Sequence, residues 1–211
     1  MSTTPQVETL VKIKSKQMVK LLSSGRRIDD RDPLNYREIR IENNVIDKAE
    51  GSALVSIGNT KVLVGIKIET GEPFPDTPDD AVLTVNAEFV PLAHKFFEPG
   101  PPDENSIELA RVVDRALRGS KAVELEKLCI TPKRLVYVIF VDVYILNHDG
   151  NLMDASMFAT ISALSNSKLP RYEIDEDGKP KKTDEYSVLP VKDRPTSTTM
   201  VKIGGKLLVD P

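Results

Sequence analysis

The chain has 211 residues, of which 40% are hydrophobic and 29% charged. That is enough apolar material to bury the core of one large domain or two small ones, and too much for a chain that stays disordered. A net charge of −3 excludes a surface coated in cations, so any contact with nucleic acid must come from a local concentration of arginine or lysine. The single cysteine, Cys129, cannot form an internal disulfide. With only His94 and His148 beside it, the chain lacks the usual ligand set of a metal centre, and neither a metal nor a cofactor is expected. No apolar run approaches the roughly 18–20 residues that span a bilayer. Lys12, Lys14, Lys16 and Lys20 stand where a signal peptide would be apolar. A cytoplasmic protein without a membrane partner is the simplest expectation.

In chain order, Val7, Leu10, Val11, Met18, Leu21 and Leu22 follow the spacing of an amphipathic helix over residues 6–23, with Pro5 before it and Gly25 after it. The stretch Gly25 to Asp32 is dense in charge and turn formers. An alternating strand then begins at Arg37. Residues 51–69 predict a hairpin turning at Gly58-Asn59-Thr60. Ala81 to Val90 predicts a further strand. Proline-punctuated loops cover Gly71 to Pro78 and Glu98 to Pro102, and the second leads into a helix starting near Ser106. Leu135 to Leu146 is almost continuously apolar, the pattern of a central strand covered on both faces. After the turn Asn147 to Gly150, Asp154 to Ser165 predicts a helix rich in small residues. Arg171 to Lys182 reads as a hairpin loop or mobile segment, and Met200 to Val209 as a hairpin turning at Gly204-Gly205. Strands that cluster early and helices that come later imply an α+β fold with an antiparallel or mixed β-sheet packed with helices.

Chemistry is concentrated on the helix Ile107 to Arg118. At about 100° per residue, Arg111, Arg115 and Arg118 share a narrow stripe beside an apolar face of Leu109, Ala110, Val113 and Leu117. Guanidinium groups suit phosphate because their planar forks donate paired hydrogen bonds and stay charged. The same residues would equally serve as a solvated helix face, with Glu108–Arg111 and Asp114–Arg118 ion pairs. Asp149-Gly150 sits where a strand passes into a helix, a common place for anions, yet Asn151, Leu152 and Met153 bring no cation and a plain turn accounts for it. Asp142 and Asp154 flank this turn without a pattern that makes them converge. Asp154 suits the first turn of its helix, where a carboxylate meets the positive end of the dipole. His94 and His148 stand alone in the sequence, and no phosphate-binding glycine motif is present.

Several segments together resemble the RNase PH family. These are Gly25 to Arg31 (GRRIDDR), Gly51 to Leu63 (GSALVSIGNTKVL), Glu98 to Arg115 (EPGPPDENSIELARVVDR) and Asp142 to Gly150 (DVYILNHDG). The run Glu98 to Arg115 matches, within that family, the non-catalytic subunits of the archaeal exosome. The resemblance covers about residues 20–211. It implies an RNase PH-like fold in two subdomains, and a hexameric ring of three heterodimers formed with a catalytic RNase PH-like subunit. It further implies RNA-binding cap subunits, and 3′→5′ phosphorolytic degradation of single-stranded RNA at the heterodimer interface.

The departures from the catalytic pattern matter here. Active members carry an arginine pair where this chain has Glu104 and Asn105. They place a hydroxyl residue and an arginine after the Asp-Gly turn, where Asn151 and Leu152 stand. Of two carboxylates around the last strand, Asp210 matches the first and the second has no counterpart. The resemblance therefore implies no catalytic residue in this chain. It assigns Arg111 and Arg115 to positions that contact RNA beside the partner's active site, with Arg118 as a third candidate. Two alternatives stand beside it: a free-standing phosphorolytic exoribonuclease, and an RNA-associated binding module outside any ring.

The segments then divide as an N-terminal helix (1–24), an RNase PH-like first subdomain (25–190), and a second subdomain truncated to its first hairpin (191–211). Related subunits continue beyond this point, so the chain is expected to be a truncated product or partial sequence with exposed apolar surface.

Overall fold

A computed structural model describes residues 17–175 and 180–211. Of the helix expected over 6–23, residues 17–23 are helical (α1), and the remainder lies outside the described residues. Contacts group the chain into two units: Glu38–Ser197, and Met1–Arg37 together with Thr198–Pro211. The charged stretch after residue 24 thus groups with the terminal hairpin.

The larger unit is built on a mixed sheet. Strands β1 (Ile39–Asn43), β2 (Gly51–Ile57), β3 (Thr60–Gly71), β4 (Val82–Phe89) and β6 (Leu135–Asn147) take the order β1-β2-β3-β6-β4, and short β5 (Cys129–Thr131) also pairs with β6. All neighbours are antiparallel except β4 and β6, which run parallel from Val82↔Val138 to Phe89↔Ile145. Parallel neighbours need a crossover connection, and helix α2 (Glu104–Gly119) lies within it. Helix α3 (Leu152–Ser165) follows β6 directly. Hairpin β7–β8 (Lys168–Ile174, Pro180–Val188) completes the unit, so of the segment read as a hairpin loop, residues 171–174 and 180–182 belong to paired strands, and residues 176–179 lie outside the described residues.

One face of the sheet is the core. Val55 and Ile57 of β2, Val62, Val64 and Ile66 of β3, and Ile139, Val141, Val143 and Ile145 of β6 are buried against Leu109, Val113 and Leu117 of α2 and Ala155, Ala159, Ala163 and Leu164 of α3. β6 is central, as its composition predicts. It is not, however, buried evenly on both faces, because Val138, Phe140, Asp142, Tyr144 and Leu146 alternate with the core residues and remain partly or fully exposed. The apolar run overstated burial, since both helices lie on the face of Ile139, Val141, Val143 and Ile145. α3 carries small residues because it packs closely on β2 and β3. A Cβ on Gly51 would lie 2.6 Å from the Ala163 carbonyl oxygen and collide with the Ser167 hydroxyl.

The smaller unit is organised by one carboxylate. Hairpin β9–β10 (Met200–Ile203, Lys206–Val209) turns through Gly204 and Gly205, both at positive φ, as a tight two-residue turn requires. Beyond it Asp210 is wholly buried. Its Oδ1 accepts from Arg37 Nη2 at 2.6 Å, and its Oδ2 accepts from Arg37 Nε and Arg31 Nη1, each at 2.8 Å. Arg27 donates to the carbonyl oxygens of Val209 and Asp210 at 2.6 and 2.8 Å. A buried carboxylate is tolerated when its oxygens are satisfied in this way. Asp29 braces the clamp from outside, accepting from Arg27 and Arg31. Replacing Asp210 with alanine would leave two largely buried guanidiniums without their anion, at a cost of about 3–5 kcal/mol. Hydrogen exchange should register the change as loss of amide protection in β9–β10.

Candidate functional site

Helix α2 starts at Glu104, two residues before the expected Ser106, because the carboxylate of Asp103 caps it. Asp103 Oδ1 accepts from the Ser106 amide at 2.8 Å, and the Ser106 hydroxyl donates back to the Asp103 carbonyl. Burial of Leu109, Val113 and Leu117 fixes the roll of the helix, so Arg111, Arg115 and Arg118 face outwards. Their states differ. Arg118 donates to Asp114 at 2.8 Å and, through Nη2, to the Leu83 carbonyl oxygen at 2.6 Å. Arg111 and Arg115 make no hydrogen bond or ion pair among the described residues, and the alternative Glu108–Arg111 pair does not form there. The helix thus presents two uncommitted guanidiniums, while its third arginine ties the helix end to β4.

At the start of the same helix, Glu104 and Asn105 are exposed, and Asn105 donates to Asp103. The Asp149-Gly150 turn is held by Thr60, whose hydroxyl donates to the Gly150 carbonyl at 2.7 Å and accepts from the Asp149 amide. Asn151 follows with φ 52° and ψ 49°, before the first turn of α3. Asp154 sits in that first turn as expected and is buried, accepting from Asn151 and from the Ser197 hydroxyl. Asp142 lies on the opposite side of β6 from the core and accepts from Asn86. The two carboxylates therefore do not converge. The thiol of Cys129 is pushed up by burial and by the nearby Asp79 and Asp80, which disfavours the nucleophilic thiolate.

The fold does join two residues that stand alone in the sequence. Phe89 ends β4 opposite Ile145 of parallel β6, so the segments that follow these strands meet. The rings of His94 and His148 lie 5.2 Å apart. No local pattern marks this pair, since it depends on the parallel register of β4 and β6.

The 3′ exoribonuclease family model of RNase PH, domain 1, matches residues 35–170. The chain belongs to the RNase PH family. A protein of Thermococcus onnurineus named exosome complex component Rrp42 is 54% identical over 207 residues, covering 98% of this chain and 76% of that protein. The protein of the same name from Archaeoglobus fulgidus is 52% identical over 206 residues, covering 97% and 76%. Among solved structures, a chain of the Archaeoglobus fulgidus exosome with RNA bound to the active site superposes with a TM-score of 0.87 at 52% identity, covering 96% of this chain and 77% of that one. A chain of an archaeal exosome core gives 0.82 at 47% identity, covering 99% and 76%. This RNase PH-like chain thus shares the fold of exosome subunits across nearly all of its length.

The cap of α2 has a pH signature. The Ser106 amide, acting first, and the Asn105 side chain hold the Asp103 carboxyl below its ordinary value against a smaller effect of burial. Its stabilisation is present above the ordinary carboxylate range and is lost as pH falls through the lowered value. Asp103→Ala is expected to cost about 1 kcal/mol near neutrality. In urea unfolding, the difference from the parent chain should vanish once both carboxyl states are protonated.

Proposed function

We propose that this RNase PH family chain is the non-catalytic subunit of an archaeal exosome, completing the active site of a catalytic RNase PH-like partner and positioning single-stranded RNA for 3′→5′ phosphorolysis. The observation that carries this reading is the state of the arginines on α2. Arg111 and Arg115 project into solvent with no partner among the described residues, whereas Arg118 is occupied by Asp114 and the Leu83 carbonyl. Two free guanidiniums about one turn apart on a rigid helix suit successive backbone phosphates, which position a strand without reading its sequence. Arg118 contributes by holding the helix and is a weaker candidate for direct contact.

Three features favour a subunit that does not itself catalyse. Glu104 and Asn105 set an acidic and a neutral side chain where active members carry two arginines. Asn151 and Leu152 offer no cation to orient an attacking phosphate. Asp210, the counterpart of an active-site carboxylate, is buried and bonded to Arg31 and Arg37. In this proposal the chain works in the cytoplasm within a hexameric ring of three heterodimers that also carries RNA-binding cap subunits.

Phosphate-dependent shortening of RNA is expected when the chain is combined with a catalytic RNase PH-like subunit, and not with the chain alone. Robust activity of the isolated chain would overturn the proposal in favour of a free-standing exoribonuclease. Exchanging both Arg111 and Arg115 for glutamate should weaken RNA binding by the assembled complex. It should also reduce the slope of log affinity against log salt by about 0.7 per phosphate contact removed. An unchanged affinity and slope would make the stripe a solvated helix face.

A further inference from the structure

Among the described residues, few bonds fasten the loop between β4 and α2 to the end of β6. Pro91–Ala93 forms a 3-10 turn, with the Ala93 amide donating to the Val90 carbonyl, and the Phe97 amide donates to the His94 carbonyl. Both of these bonds are internal to the loop. Among the described residues, the backbone bond that crosses to the residue after β6 runs from the His148 amide to the Ala93 carbonyl at 3.2 Å. The other attachment is aromatic. Phe97 stacks on His148 with centroids 5.6 Å apart and planes inclined by 13°, His94 meets His148 edge-on, and Phe89 packs on Phe97 at 4.8 Å.

This arrangement suits uncharged imidazoles. His94 Nδ1 is buried and has no hydrogen-bond partner among the described residues, so a proton there would be a buried donor without an acceptor. His148 Nδ1 accepts from the Gly150 amide at 3.4 Å, which assigns the neutral ring's proton to Nε2; a second proton would set two donors face to face. Charge on one ring also opposes charge on the other at this separation. Burial first, and His94 second, hold His148 below the usual imidazole value, and Asp149 pulls the other way. Asp149 is itself engaged by Asn59 Nδ2 at 3.1 Å, and the Lys95 ammonium lies over the Phe96 ring.

We infer that His148, stacked on Phe97 and edge-on to His94, is a proton-operated latch: with its imidazole neutral it fastens loop 90–97 to the end of β6, and a proton on it releases the loop. The loop leads to Asp103, the cap of the arginine helix, and carries the exposed Leu92 and Phe96, so release alters the surface beside the start of α2. The sign follows from linkage. A histidine held neutral binds fewer protons in the closed state, so closure is fully favoured above the ordinary imidazole range and is lost as pH falls below it.

Amide hydrogen exchange and imidazole proton NMR on the whole chain test this without RNA or a partner, and so independently of the proposed function. Between about pH 8 and about pH 5, protection of the His148 amide should fall at least about tenfold, while the β3–β6 ladder stays protected. The His148 ring should titrate below the usual imidazole range. The double variant His94→Phe with His148→Gln keeps apolar bulk and an acceptor but removes the His148 titration, and its protection should not change with pH. Constant protection in the parent chain, or the same fall in the double variant, would overturn the latch. The parent measurement stands even if the variant does not fold.

Discussion

One face of the mixed sheet must be covered, and much of the larger unit follows from how two helices do it. β6 runs through the middle and presents Ile139, Val141, Val143 and Ile145 to the core. Burying each such side chain is worth about 1.5–3 kcal/mol, so the alternation of the strand sets which residues face the helices. Because β4 and β6 are parallel, the connection between them must cross over the sheet, and α2 is part of that crossover. Once Leu109, Val113 and Leu117 take the core, the helix has no freedom in where it points Arg111 and Arg115. The candidate RNA surface is thus a consequence of core packing on the reverse side of the same helix.

Arginine serves two purposes in this chain, distinguished by burial. Arg27, Arg31 and Arg37 converge on the end of the terminal hairpin, where the Asp210 carboxylate is shielded from water and its pairings are strong. Arg111 and Arg115 stand in solvent, where a local ion pair would contribute little and the charge remains available to a polyanion. Arg118 falls between them, exposed yet bonded to Asp114 and to the backbone of β4. A net charge near neutrality conceals this division. In the proposed role, what suits the outer pair to phosphate is that no carboxylate among the described residues occupies them.

The elements were largely legible. The hairpin of β2 and β3, strand β4, helices α2 and α3 and the terminal hairpin all follow from periodicity and turn residues. The parallel pairing of β4 with β6 left no local sign, and the uninterrupted apolar run of β6 suggested cover on both faces where one face is only partly covered. Hydropathy reports what a residue tolerates; the placement of the helices decides what it receives. Likewise the segment Gly25 to Asp32 looked like a charged turn, and its arginines prove to be the clamp around Asp210.

The linear sequence by itself determined the family, the angular stripe of arginines on α2 and the absence of a basic side chain at Glu104, Asn105, Asn151 and Leu152, because each of these is a matter of residue identity and short-range spacing. Only the tertiary structure decided which arginines are occupied, that Asp210 is enclosed, and that His94 meets His148 across 54 positions of chain. Those outcomes depend on contacts between distant segments, where desolvation and the register of paired strands, rather than local propensity, set the energy.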